Sequence, residues 1–207
     1  NGLNPANVSV TNTDDDASGV TVSAISGNTT EGGGTATFTV VLDAQPTADV
    51  TVGLSSNDTT EGTVGPTSLT FTSANWSTPQ TVTVTGVNDA VDDGDQVFGV
   101  VTAAATSADS NFNGIDAGDV SVINVDNDTA GITVGAISGS TTEAGGTATF
   151  TVLLDTQPTA NVTVALSSNV TSEGTVSPAG LTFTSANWNT PQTVTVSRPS
   201  PWSNRRR

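Results

Sequence analysis

The 207-residue chain contains no cysteine, histidine, methionine, tyrosine or lysine. Each absence removes a class of chemistry. Without Cys or His, neither a Ser–His nor a Cys–His nucleophile pair can be assembled, and the imidazole and thiolate ligands of ordinary zinc sites are missing. Cysteine usage also gives no argument for or against export, because no disulfide can form. Basic residues are nearly as scarce. The four arginines are Arg198, Arg205, Arg206 and Arg207, so the first 197 residues carry all 20 acidic side chains and no basic one. A nucleic-acid partner is therefore not expected, since phosphate binding needs a basic patch. No apolar run reaches membrane-spanning length and no charged-then-apolar leader opens the chain, so no membrane insertion is expected of this stretch. Carboxylate pairs of the glycosidase kind are the catalytic arrangement that composition leaves open, but no substrate cleft is legible around them. The expectation is that the chain is not an enzyme.

What remains is Thr, Val, Gly, Ser, Asp and Asn, an alphabet of strands and turns. It is organised as a repeat. Residues 19–85 align without a gap with residues 131–197 at an offset of 112, and 52 of the 67 positions are identical. At the same offset the opening NGLNPANVSVTNTDDD lies over NGIDAGDVSVINVDND, residues 113–128. The expected organisation is the last strand of a preceding repeat (1–16), a complete repeat (17–128), a truncated repeat (129–197) and a non-repeat tail (198–207). A period this long describes a domain rather than a solenoid rung.

Within the complete repeat, alternating runs separated by turn clusters predict an immunoglobulin-like, seven-stranded antiparallel β-sandwich. The expected strands are A (Val20–Ile25), B (Thr35–Leu42), C (Val50–Ser55), D (Ser68–Thr72), E (Thr81–Val87), F (Gln96–Ala103) and G (Asp119–Val125). Strand B has the clearest period of two, with Ala36, Phe38, Val40 and Leu42 on one face and threonines on the other. Trp76 and its copy Trp188 precede strand E and are expected to close one end of a core; a sugar platform is the competing role. The later repeat has counterparts of A to E only. It is expected to leave an unpaired sheet edge, to be less stable than the complete repeat, or to borrow a strand from a neighbour.

In such a sandwich the A–B, C–D and E–F connections and the end of strand G share one pole. Glu31 falls in the first connection, Asp58 and Glu61 in the second, Asp89, Asp92, Asp93 and Asp95 in the third, and Asp126 and Asp128 close strand G. Singly, each acid is a turn-former. Together, and with no basic partner, they repel one another unless a hard cation reverses the sign of that interaction. Calcium suits loop carboxylates and carbonyls because it takes about six to eight oxygens in flexible geometry, which magnesium does not.

The stretches TTEGGGTATFTVVLDAQPTADVTV, LTFTSANWSTPQTVTVTGVND and DDGDQVF, with the closing DND or DDD, resemble the Calx-β family, found in sodium–calcium exchanger regulatory loops and in tandem arrays of large bacterial surface proteins. The resemblance covers about residues 17–128 and part of the later copy. It implies calcium ligands at Glu31, at Asp58 or Glu61, at Asp89, Asp92, Asp93 and Asp95, and at Asp126 and Asp128. The family's third closing acid is Asn127 here, and Asp58 is replaced by Val170 in the later copy. An RTX β-roll would need a nine-residue glycine repeat that the chain lacks.

The function expected from this reading is a calcium-stiffened spacer or adhesive stalk in a secreted or cell-surface protein, with neighbouring repeats as its partners. The alternative is a carbohydrate- or protein-binding adhesion module without a functional calcium site, whose partner would be a cell-surface glycan or protein. An accessible Trp76 would favour the alternative.

Overall fold

The computed structural model describes residues 6–13 and 15–198. The tail beyond Arg198 lies outside the described residues. Among these residues there are sixteen strands and no helix. In the complete repeat the strands are β1 (Val20–Val22), β2 (Thr29–Thr30), β3 (Thr35–Leu42), β4 (Val50–Ser56) and β5 (Gly62–Gly65), followed by β6 (Ser68–Phe71), β7 (Gln80–Gly86), β8 (Gln96–Thr102), β9 (Thr106–Ser107) and β10 (Val120–Val125). They form two sheets, ordered β1-β3-β7-β5 and β2-β10-β8-β4-β6, with β9 added to β4.

The period of two in strand B is realised directly. Phe38 stands opposite Val82 and Ala36 opposite Val84 in the antiparallel β3–β7 ladder. Alternation then buries Ala36, Phe38, Val40 and Leu42 while the intervening threonines stay outside the core. The other sheet meets them with Val50, Val52, Leu54, Leu69, Phe71, Phe98, Val100, Val120 and Val122. Trp76 is half-buried and packs against this core, and Trp188 packs against the equivalent core of the later copy.

Three differences from the expected strands have local causes. Strand A divides: β1 stops at Val22 in one sheet, and the chain re-enters the other as β2. Over the interruption the hydroxyls of Ser23 and Ser26 accept the backbone N–H groups of Thr39 and Thr37, at 2.9 Å each. Strand β5, which falls within the expected C–D connection, pairs with β7. Its Gly62 is required by packing, because a Cβ there would overlap the Phe98 ring. Strand β9 belongs to the β8–β10 connection, which is anchored by Asp109. That carboxylate is 6 % exposed and accepts Thr47 N–H and Thr47 Oγ1, both at 2.8 Å, and Asn111 N–H at 3.0 Å.

The later copy comprises β11 (Ile132–Val134), β12 (Thr147–Leu154), β13 (Val162–Ala165), β14 (Thr175–Ser177), β15 (Gly180–Phe183) and β16 (Gln192–Ser197). One sheet, β11-β12-β16-β14, matches the first copy strand for strand; the other is reduced to β13-β15.

By contacts the chain divides into two compact units. Among the described residues, the first contains those up to 29 together with 33–86 and 97–123; the second contains 30–32, 87–96 and 124–198. The second unit therefore holds the later copy together with Glu31, the β7–β8 connection and the end of β10.

Candidate metal centre

Seven of the nine acids singled out in the sequence lie in the second unit, on three segments that local hydrogen bonds fix. Glu31 follows β2, and its N–H donates to the carbonyl of Val125 at 3.0 Å, which sets it beside the end of β10. Asn127 N–H donates to Glu31 Oε2 at 3.2 Å. Asp126 closes an Asx-turn: its Oδ1 accepts Asp128 N–H and its Oδ2 accepts Gly94 N–H, both at 2.7 Å. Gly94 has φ +76°, the left-handed conformation that lets the β7–β8 connection turn its N–H toward Asp126. Asp95 Oδ1 accepts Asp126 N–H at 3.2 Å, and Asp92 Oδ2 accepts Ala130 N–H at 2.7 Å.

Glu31, Asp126 and Asp128 form a group in which one carboxylate oxygen from each lies within 4.8 Å of the others. Glu31 is 4 % exposed. Burial pushes its carboxyl above the ordinary value; Asn127 N–H opposes this, and the charges of Asp126, Asp89 and Asp128 add to it. Asp128 is also raised, first by desolvation and then by Asp126, Asp89 and Asp92. Asp126 is lowered, chiefly by the N–H groups of Asp128 and Gly94. The N–H groups around Asp126 thus favour its charged form, while burial and the neighbouring acids disfavour the charged forms of Glu31 and Asp128.

One atom bears on whether a cation fits. Asp128 Oδ2 is buried and has no hydrogen-bond partner. A buried carboxylate oxygen left unsatisfied is costly, and such an atom calls for a ligand the protein itself does not provide. A divalent cation would supply what the donor set lacks, since the first 197 residues contain no basic side chain.

The remaining acids have different placements. Asp89 and Asp93 are exposed on the β7–β8 connection, and Asp89 Oδ1 accepts Val91 N–H at 2.7 Å. Asp58 and Glu61 belong to the first unit. Asp58 is exposed, and its Oδ1 accepts Thr60 Oγ1 at 2.5 Å and Thr60 N–H at 3.0 Å, which hold its carboxyl below the ordinary value. That oxygen is committed to its own turn. Glu61 is half-buried in the same turn. Sequence reasoning did not anticipate the donors around the acids: Asn127, which also bonds Asn88 Oδ1 at 3.1 Å, and Asn124, 1 % exposed, which donates to the carbonyl of Val87.

In the later copy Glu143 and Glu173 stand where the first has Glu31 and Glu61. Both are exposed, and both pair with the guanidinium of Arg198, at 3.0 Å each.

No family model and no curated protein matches the chain. Solved structures similar to it include CBD12 from CALX1.2, at 16 % identity and TM-score 0.38, covering 83 % of this chain and 72 % of that one. The calcium-binding domain CBD12 of CALX1.1 follows at 15 % and 0.37, covering 84 % and 73 %. The YadV chaperone, at 11 % and 0.39, covers 86 % and 84 %. Likenesses this distant carry no argument about function.

Proposed function

We propose that the chain is a calcium-binding structural module, a repeat unit that a bound ion stiffens. The observation that carries this reading is the Glu31–Asp126–Asp128 group, in which Glu31 is buried and Asp128 Oδ2 is buried and unpartnered. Calcium would be held by these three carboxylates, with oxygens of the β7–β8 connection available beside them. It would supply positive charge where the chain has none. The chain's own part is to fix the donors: Val125 carbonyl holds Glu31, while Gly94 and Asp128 N–H groups hold Asp126.

The consequence is mechanical. A backbone hydrogen bond from Glu31 to Val125 joins residues 30–32 to 124–130, and carboxylates that accept backbone N–H groups join 87–96 to 124–130, among them Asp92 on Ala130 at the start of the later copy. An ion among them would restrain the residues that lead from one repeat into the next. That suits a spacer or adhesive stalk in a secreted or cell-surface protein, where sites of roughly 10⁻⁴ to 10⁻³ M affinity stay occupied. Neighbouring repeats are then the partners. The alternative, a glycan- or protein-binding module, has no comparable observation, because both tryptophans are packed on cores.

The test is a thermal melt of the chain in EGTA, in millimolar calcium and in millimolar magnesium. A ligand at a hundred times its Kd stabilises by about 2.7 kcal/mol. A calcium-specific rise in Tm is expected. An unchanged Tm, or an equal rise with magnesium, would count against the reading.

A further inference from the structure

Strand β10 carries an amide where its pattern calls for an apolar side chain. Alternation turns Val120, Val122 and Asn124 inward, and they are 8 %, 1 % and 1 % exposed. A buried amide is costly unless its hydrogen bonds are made. Asn124 Nδ2 donates to the carbonyl of Val87 at 3.0 Å. Val87 is the first residue after β7, which belongs to the other sheet, so this bond ties the end of β10 to the start of the β7–β8 connection. At the offset of 112 the opening segment also has an asparagine here, Asn12, although Thr11 and Thr13 stand in place of Ile123 and Val125.

The residues on either side of this bond are the acids. Asp126 and Asp128 follow Asn124, and Asp89 follows Val87. Three other ties between the two segments run through carboxylates: Gly94 N–H to Asp126 Oδ2, Asp126 N–H to Asp95 Oδ1, and Ala130 N–H to Asp92 Oδ2. A cation that recruits those oxygens competes with these bonds. Two ties run through neutral amides, Asn124 to the Val87 carbonyl and Asn127 Nδ2 to Asn88 Oδ1. Asn127 is exposed; Asn124 is buried. A buried, neutral donor adds no charge to the acidic group and occupies no carboxylate oxygen, so it holds the segments together with or without an ion.

We propose that Asn124 is a positioning residue of the metal centre, one that acts through Val87 rather than as a ligand and holds the β7–β8 connection against the end of β10 before a cation arrives. The inference rests on the calcium reading above. A cation that meets donors already gathered does not bear the cost of ordering them, so its affinity is higher.

Asn124→Leu keeps the bulk of the side chain and completes the apolar pattern while removing the donor. If Asn124 only filled the core, this variant would be as stable as the wild type or more so, with an unchanged calcium isotherm. Two measurements on the full chain read the positioning role instead. In EGTA, NMR-detected solvent exchange of the Gly94 and Asp126 amides is expected to be faster in the variant, while amides of the β3–β7 ladder keep their wild-type protection. In a calcium titration followed by amide chemical shifts, Kd is expected to rise roughly two- to tenfold, the equivalent of one hydrogen bond of ordinary net strength. Circular dichroism checks folding, and Asn124→Val, smaller and suited to a strand, takes the place of Asn124→Leu should the latter not fold. Unchanged exchange of Gly94 and Asp126, an unchanged Kd beside a wild type that binds, or loss of protection spread through the β3–β7 ladder would overturn the proposal. Absence of saturable binding by the wild type is the separate result that removes the calcium reading, and this inference falls with it.

Discussion

The two copies share 52 of 67 residues, yet the same side chains have different surroundings. Phe38 is 2 % exposed and Val84 0 %, while their counterparts Phe150 and Val196 are half-buried. Val20, Val22 and Ile25 pack against the first core, whereas Ile132, Val134 and Ile137 are 51 %, 61 % and 55 % exposed. Other pairs do not change: Phe71 and Phe183, and Val82 and Val194, are all 0 % exposed. In the first copy Val22 and Ile25 lie beside the start of β10, and β8, β9 and β10 have no counterparts among the described residues of the later copy. Local sequence fixes which face of a strand is apolar; the partner sheet decides how much of it leaves water. Glu31 and Glu143 repeat the lesson for charge. One is buried among acids, and the other is exposed and paired with Arg198.

Truncations at matched positions would break this comparison most forcefully. Phe38→Ala is expected to cost about 3–5 kcal/mol, the usual range for a fully buried Phe, and Phe150→Ala distinctly less. Denaturant unfolding of each variant measures it; equal losses would mean that the missing strands do not matter to packing. A smaller contrast comes from glycine. Gly62→Ala forces a methyl into the Phe98 ring and is expected to cost roughly 1–3 kcal/mol. At the matched Gly174 the nearest heavy atom to a new Cβ is Val196 Cγ1 at 3.8 Å, so Gly174→Ala should be neutral or slightly stabilising.

Acid sharpens the comparison further, because Asp109 has no counterpart in the later copy. Thr47 N–H, the Thr47 hydroxyl and Asn111 N–H hold its carboxyl below the ordinary 3.8. A folded-state value below the unfolded one contributes stability above about pH 3.8, and this is lost as pH falls through the lowered value. Asp109→Asn should therefore flatten the acid limb of the first copy's stability curve, read from unfolding across pH. The smallest effect belongs to Arg198. Its ion pairs with Glu143 and Glu173 are largely exposed, so Arg198→Ala should cost roughly 0.2–1 kcal/mol at low salt and less at high salt.

Much of the fold could be read from the residues. The limits of β3 are those expected of strand B, and β4, β6, β7, β8 and β10 differ by a residue or so from strands C, D, E, F and G. β2, β5 and β9 escaped because two to four residues show no periodicity, and because β5 owes its place to the fit of Gly62 against Phe98 rather than to propensity. The site was legible in part. Glu31, Asp126 and Asp128 come together because Glu31 is bonded to the end of β10. Asp58 has the same composition signal but spends its Oδ1 on Thr60, a distinction that only geometry can make. That Asp128 keeps one buried, unpartnered oxygen depends on contacts far apart in sequence, which no local pattern encodes.

Calorimetric titration of calcium into the full, chelator-stripped chain tests the central claim most directly, run beside the Glu31→Gln, Asp128→Asn double variant. Saturable binding with a Kd on the order of 10⁻⁴ to 10⁻³ M is expected for the wild type, and its loss in a variant that circular dichroism shows to be folded. No saturable binding in the wild type, or the same isotherm in both proteins, would contradict the assignment of Glu31, Asp126 and Asp128 as the metal centre.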